Sequence, residues 1–118
     1  MNLPHSNTSL KKLFGVIRHI ETGGHPDAYN AVGSSGELGP YQITKPYFLD
    51  SLEHDPSLDG LEWEGVRDEQ VAQMVILQYW DRYATKPWIA EQLCRLHHGG
   101  PSMKGTDAYW KRCERLLR

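Results

Sequence analysis

Cysteine is scarce in this chain: two in 118 residues, Cys94 and Cys113. That is too few for a disulfide framework, and their separation is not a metal-ligand spacing, so core thiols are expected, with a single bridge as the alternative. Long apolar runs are missing as well. No stretch approaches the roughly 20 residues that span a bilayer, which argues against membrane insertion. Met1 to Ser9 has neither a cationic start nor an apolar segment, so no signal peptide is expected, and residues 1–8 read as a poorly ordered leader. Charge of one sign is also lacking. The chain has 13 Lys+Arg against 15 Asp+Glu, a formal net charge of −2 with its six His neutral. No run of Lys and Arg is longer than the pair Lys11-Lys12, which gives no reason to expect nucleic acid as a partner. Repeats and low-complexity linkers are absent too. At 39% apolar residues, the length suits one domain over 1–118 with one real core.

Periodicity supplies the elements. Leu10, Leu13, Phe14 and Ile17 recur at helical spacing after the alternative N-cap residues Thr8 and Ser9, and the segment stops at Glu21-Thr22-Gly23-Gly24. From Asp27 to Ile43 glycines alternate with Val32, Leu38, Tyr41 and Ile43, predicting a small hairpin about Ser34-Ser35-Gly36. Thr44 caps a short helix carrying Tyr47, Phe48 and Leu52, and a polar loop runs from Glu53 to about Gly65. Asp68-Glu69 opens the longest helix, to about Ala84, with apolar groups on more than one face. Pro87 opens another, which ends at Gly99-Gly100-Pro101. Thr106-Asp107 caps a last one, with Tyr109, Cys113, Leu116 and Leu117 inward. The fold class is mainly α (α+β): about five helices around one hairpin.

Glu21 is the residue with chemistry in it. A carboxylate at the carbonyl end of a helix meets negative partial charge, and Ile17 and Ile20 can desolvate it; both effects favour the protonated form of a general acid. Taken alone, a Glu at a helix end is more often a solvated surface residue. Its place ahead of a Gly-rich excursion and Tyr41-Gln42-Ile43 makes it the wall of a cleft.

The segments Ile20-Glu21-Thr22-Gly23-Gly24, Val32-Gly33-Ser34, Gly39-Pro40-Tyr41-Gln42-Ile43, Tyr47-Phe48-Leu49-Asp50 and His97-His98-Gly99-Gly100-Pro101, followed by Tyr109-Trp110, carry a resemblance over residues 13–113. In order and spacing they resemble the invertebrate-type (destabilase-like) lysozymes, and more loosely the goose-type lysozymes and soluble lytic transglycosylases. The resemblance implies a lysozyme-like fold whose hairpin flanks a glycan-binding cleft, and cleavage of the β-1,4 bond after N-acetylmuramic acid in peptidoglycan. It puts the catalytic acid on Glu21. The sugar contacts it suggests are Asn30, Ser34, Tyr41, Gln42, Tyr47, His98, Gly99 and Tyr109, with no cofactor and no metal. A monomer acting on the cell wall, periplasmic or extracellular, is implied, by an unknown delivery route.

The sequence departs from this pattern in two places. Where relatives carry an Asp, this chain has Ala31 and Ser34, so a second carboxylate must be sought elsewhere. Glu37 is the best placed, facing either cleft or solvent; Asp50 reads as a structural acceptor holding the hairpin, and Asp27 as a turn residue. Hydrolysis assisted by Glu37, inverting hydrolysis through a positioned water, and lytic transglycosylation all stay open, as does a binding module that has lost turnover. The second departure is His98, where relatives usually have Asn. It offers either a pH-dependent sugar contact or, with His97, a cap on the helix end. Trp63, Trp80 and Trp88 are expected to pack. Full protonation of the imidazoles would take the net charge to about +4, so tighter wall binding is expected near pH 5–6 than at 8.

Overall fold

A computed structural model describes residues 9–23 and 25–118; the expected leader over 1–8, the alternative cap Thr8 and Gly24 lie outside the described residues. The described chain is mainly helical, with α1 over Leu10–Thr22, α2 over Lys45–His54, α3 over Glu69–Tyr83, α4 over Ala90–Gly99 and α5 over Asp107–Leu117. Three helix starts are fixed by side-chain caps: Ser9 accepts from Lys12 N, Thr44 from Tyr47 N and Asp68 from Val71 N. Each satisfies a backbone donor that the helix itself cannot. At the other end of α1, Gly23 adopts φ 60° and returns its N–H to His19 O, the left-handed stop that glycine allows at little strain.

Three details differ from the sequence reading. The polar loop of 53–65 contains two short 3-10 turns, Pro56–Leu58 and Trp63–Arg67, which bury Leu58 and Val66. The fourth helix begins at Ala90 rather than Pro87, because Ile89 is extended (φ −122°) and the Gln92 side chain accepts from Thr85 N at 2.9 Å, holding the preceding loop off the helix axis. In α5, Leu116 is 42% exposed, so the inner face is Tyr109 and Cys113, with Leu117 partly covered.

No strand forms among the described residues. The expected hairpin is two isolated antiparallel bridges, Val32 with Leu38 and Leu38 with Ile43. Positive φ at Gly36, Gly39 and Gln42 interrupts the extended backbone that a ladder would need. Gly39 is required twice over. Its φ is 79°, and a Cβ there would lie 2.7 Å from Val66 O and 2.9 Å from Arg67 Cα, so the excursion is clamped against the Trp63–Arg67 turn.

Trp80 sits at the centre, fully buried, with its indole N–H donated to Leu93 O at 3.0 Å. Phe14 stacks on it (5.4 Å, 19°) and meets Tyr41 edge-on. Leu13 and Ile17 from α1, Val75 and Ile76 from α3 and Leu93 from α4 complete the packing without exposure. Each such side chain is worth about 1.5–3 kcal/mol in burial. Ser51, also buried, donates to Val75 O at 2.8 Å and ties α2 to α3. Cys94 and Cys113 are free and buried between α4 and α5, as core thiols. No described helix is long and apolar enough to cross a membrane.

Candidate active site

The end of α1 delivers Glu21 into an open cleft of about 450 Å³, which it shares with Glu37, Gln42, Tyr47, Asp50, Tyr79 and His98. The Glu21 side chain is only 17% exposed. Tyr109, reaching across from α5, donates its hydroxyl to Glu21 Oε2 at 2.8 Å. Burial holds the Glu21 carboxyl above the ordinary carboxylate range. The Tyr109 hydrogen bond and the positive potential of His98 and Arg112 oppose that rise, while the charge of Glu37 adds to it. A carboxyl whose burial favours the protonated form and which faces a cleft has the chemistry a general acid needs.

Behind Glu21 lies His97, whose Nε2 is 3.6 Å from Oε2. This is not an ion pair. Burial pushes the imidazole down to about 4, so it is neutral near pH 7. Its hydrogen bonds select the tautomer: Nε2–H donates to Tyr41 O at 2.9 Å, and Nδ1 accepts from the Tyr47 hydroxyl at 3.0 Å. The structural role expected for His97 is thus performed by cross-linking α4 to α2 and to the excursion, not by capping α4. Tyr47 in turn stacks face to face on Tyr79 at 3.7 Å and forms the cleft floor.

The opposite wall is the 31–43 excursion. Glu37 points into the cleft, its Oε1 accepting from Ser35 N at 2.7 Å. Gln42 takes φ 53°, and its amide donates to Gly39 O at 3.0 Å. Both side chains crowd Gly33: a Cβ there would lie 2.5 Å from Gln42 Oε1 and 2.8 Å from the Glu37 carboxyl. Gly33 leaves the room in which the two polar ends sit.

Of the residues singled out from sequence, Glu21, Glu37, Gln42, Tyr47 and His98 converge on this cleft. Five others are placed differently. Tyr41 is fully buried, and its hydroxyl, bonded to Glu69 and Gln73, opens on another groove. Tyr41 and Gln42, adjacent in sequence, thus face different sides of the excursion. Asn30 is occupied with Asp27 at 2.9 Å, and exposed Ser34 is not part of the lining. Gly99 packs against Thr106 and the Lys104 backbone. The Tyr109 ring is buried and covered by the stacked His98 ring (4.3 Å, 9°), so it presents its hydroxyl to Glu21 rather than a face to a ligand. Asp50 is an acceptor as expected, though for Arg82 and Tyr83 of α3 and not for the excursion. Tyr79 of α3 also lines the cleft without a sequence signal: its helical spacing to Tyr83 marks an apolar stripe and nothing more.

Among the described residues no group of three or more His, Cys, Asp or Glu is arranged to hold a metal ion. No known protein family matches the chain, and no curated protein matches it.

Proposed function

We propose that this protein is a muramidase with a lysozyme-like fold, cutting the β-1,4 bond between N-acetylmuramic acid and N-acetylglucosamine at the cell wall, with Glu21 as general acid. The observation that carries this reading is the pair of carboxyls in one cleft, with one desolvated and donor-bonded, the other on the facing wall. Glu21 gives its proton to the glycosidic oxygen as the bond breaks. Tyr109 then stabilises the carboxylate left behind through the hydrogen bond it already makes, a charge-assisted bond once the proton has gone. Glu37, anchored by a backbone amide, faces the developing oxocarbenium charge or the water that quenches it. The Tyr47 and Tyr79 floor suits the apolar faces of sugar rings, and Gln42 offers amide contacts to N-acetyl groups.

Lytic transglycosylation is the second reading, favoured by Ala31 and Ser34, where relatives of the resembled families hold a carboxylate. Mass spectrometry of digested peptidoglycan separates the two. New reducing ends support hydrolysis, and 1,6-anhydro ends replace it with the transglycosylase. Wall lysis that survives Glu21→Gln would end both.

A further inference from the structure

The net charge of −2 conceals a segregation. Eight of the 15 acids fall within residues 50–69, whereas α1 carries no carboxylate from Leu10 to Ile20. Its outward side presents Lys11, Lys12, Arg18 and His19, all exposed, and α5 adds exposed Arg112 and Arg115. The two sets are contiguous. His19 lines both a groove of about 600 Å³ with Lys11 and Arg18 and a smaller hollow of about 230 Å³ with Arg112 and Arg115. Where the helices meet, Lys12 Nζ donates to Leu117 O at 3.0 Å. Among the described residues Lys11, Lys12, Arg112 and Arg115 have no ion-pair partner, and residues 1–8 and 24 contain no Asp or Glu to supply one. Arg18 touches Glu69 only at 3.9 Å. The face runs to the end of α1 that carries Glu21: Thr22 lines the groove and Gly23 the hollow, and Arg112 bears on the Glu21 carboxyl.

We infer that this α1–α5 face docks the carboxylates of the peptide stems carried by the same glycan strand whose sugars occupy the cleft. The inference rests on the muramidase reading and deepens it. Guanidinium groups match carboxylates in geometry as well as sign. Continuity with Glu21 favours groups borne by the substrate strand over a separate polymer. Phe14, the aromatic residue of α1, is buried, so α1 offers no stacking platform for nucleic-acid bases.

The test is retention on insoluble peptidoglycan from which phosphodiester polymers have been stripped, with every chain carrying Glu21→Gln so that the wall is not consumed. Adding Lys11→Glu and Arg115→Glu is expected to lower retention at least about threefold at roughly 50 mM salt, with the difference closing as salt rises. A control with the same change in charge elsewhere, Lys86→Glu with Lys104→Glu, keeps its retention. On chitin, a neutral glycan without stems, the face variant and its parent bind alike. The inference is overturned by an equal loss in the control, by the same gap on chitin, by a gap present only on unstripped wall, or by tighter binding of a DNA duplex than of peptidoglycan. Fragment release by the chain with Glu21 intact is scored separately. A binding gap without release would refute the muramidase and leave a stem-docking face, and release without a gap would do the reverse.

Discussion

The two walls of the cleft present the same functional group in opposite settings. On the helical wall Glu21 is nearly enclosed, with a phenol donating to one oxygen and a neutral imidazole behind it. On the loop wall Glu37 is half-buried and held by a single backbone amide two residues away. The difference shows how one functional group is given two settings: desolvation favours the protonated form of Glu21, while Glu37 stands in the more open wall. It also shows where each role is encoded. The Glu21 setting comes from three helices that bury apolar faces together, and the Glu37 setting from glycines and local turns.

That contrast can be broken most directly by replacing each carboxyl with its amide. Glu21→Gln is expected to lower wall lysis by about 10²–10⁴-fold, the range for a positioned general acid, and Glu37→Gln by clearly less in the same turbidity assay. Equal losses would mean that the two walls do not divide the work. The next effect is on folding. His97 titrates at about 4 in the folded chain against 6.5 ordinarily, so between these values the folded form binds fewer protons than the unfolded one. Stability therefore falls as pH is lowered from about 6.5 to 4, by up to about 3 kcal/mol. Glu21 has the opposite sign: its folded value lies above 4.5, so its own contribution grows as pH falls through that raised value towards 4.5. Urea titrations across the range should show the His97 slope in the parent chain and its loss in His97→Gln.

Tyr109→Phe sharpens the helical wall alone. Removing the donor costs about 1 kcal/mol of stability, and because that bond favours the ionised carboxyl, Glu21 titrates higher without it. The alkaline limb of the pH–rate profile, where the acid loses its proton, is then expected to move to higher pH; an unmoved limb would dissociate Tyr109 from the acid. The smallest change in folding is expected from Gly33→Ala. The atoms a methyl group would meet are ends of flexible side chains, so stability should shift by less than about 1 kcal/mol, while Glu37 is displaced and lysis drops to the level of Glu37→Gln.

Legibility in the sequence followed the same division. Helices announced themselves because apolar spacing and caps are local: Ser9, Thr44 and Asp68 act as caps where their positions suggested. Thr106 precedes α5 as read, yet its hydroxyl donates to Met103 O and accepts from Arg95, leaving the helix without a side-chain cap. Glu21 was visible through the helix stop that follows it. Its partners were not, since nothing near Tyr109 in sequence indicates that its hydroxyl crosses from α5 to α1. On the excursion, the resemblance misled. Tyr41 and Gln42 stand side by side in one matched segment, but neighbouring side chains need not share a face: Gln42 lines the cleft and Tyr41 is buried on the other side. Asp50 was recognisable as an acceptor, while its partners, 32 and 33 residues away on α3, are fixed only by the docking of α2 on α3.

Gly33 carries a consequence for how variation in this chain would be sorted. The space it leaves is filled by the tips of Glu37 and Gln42 and not by backbone, so a larger residue there is absorbed by moving those tips. A library screened for soluble expression or melting temperature would pass many substitutions at this position. The same library screened for clearing zones on bacterial walls would keep glycine. The position is thus blind to selection for foldedness and visible to selection for use, and a disagreement between the two screens at residue 33 would mark the loop wall as working machinery without any structure in hand.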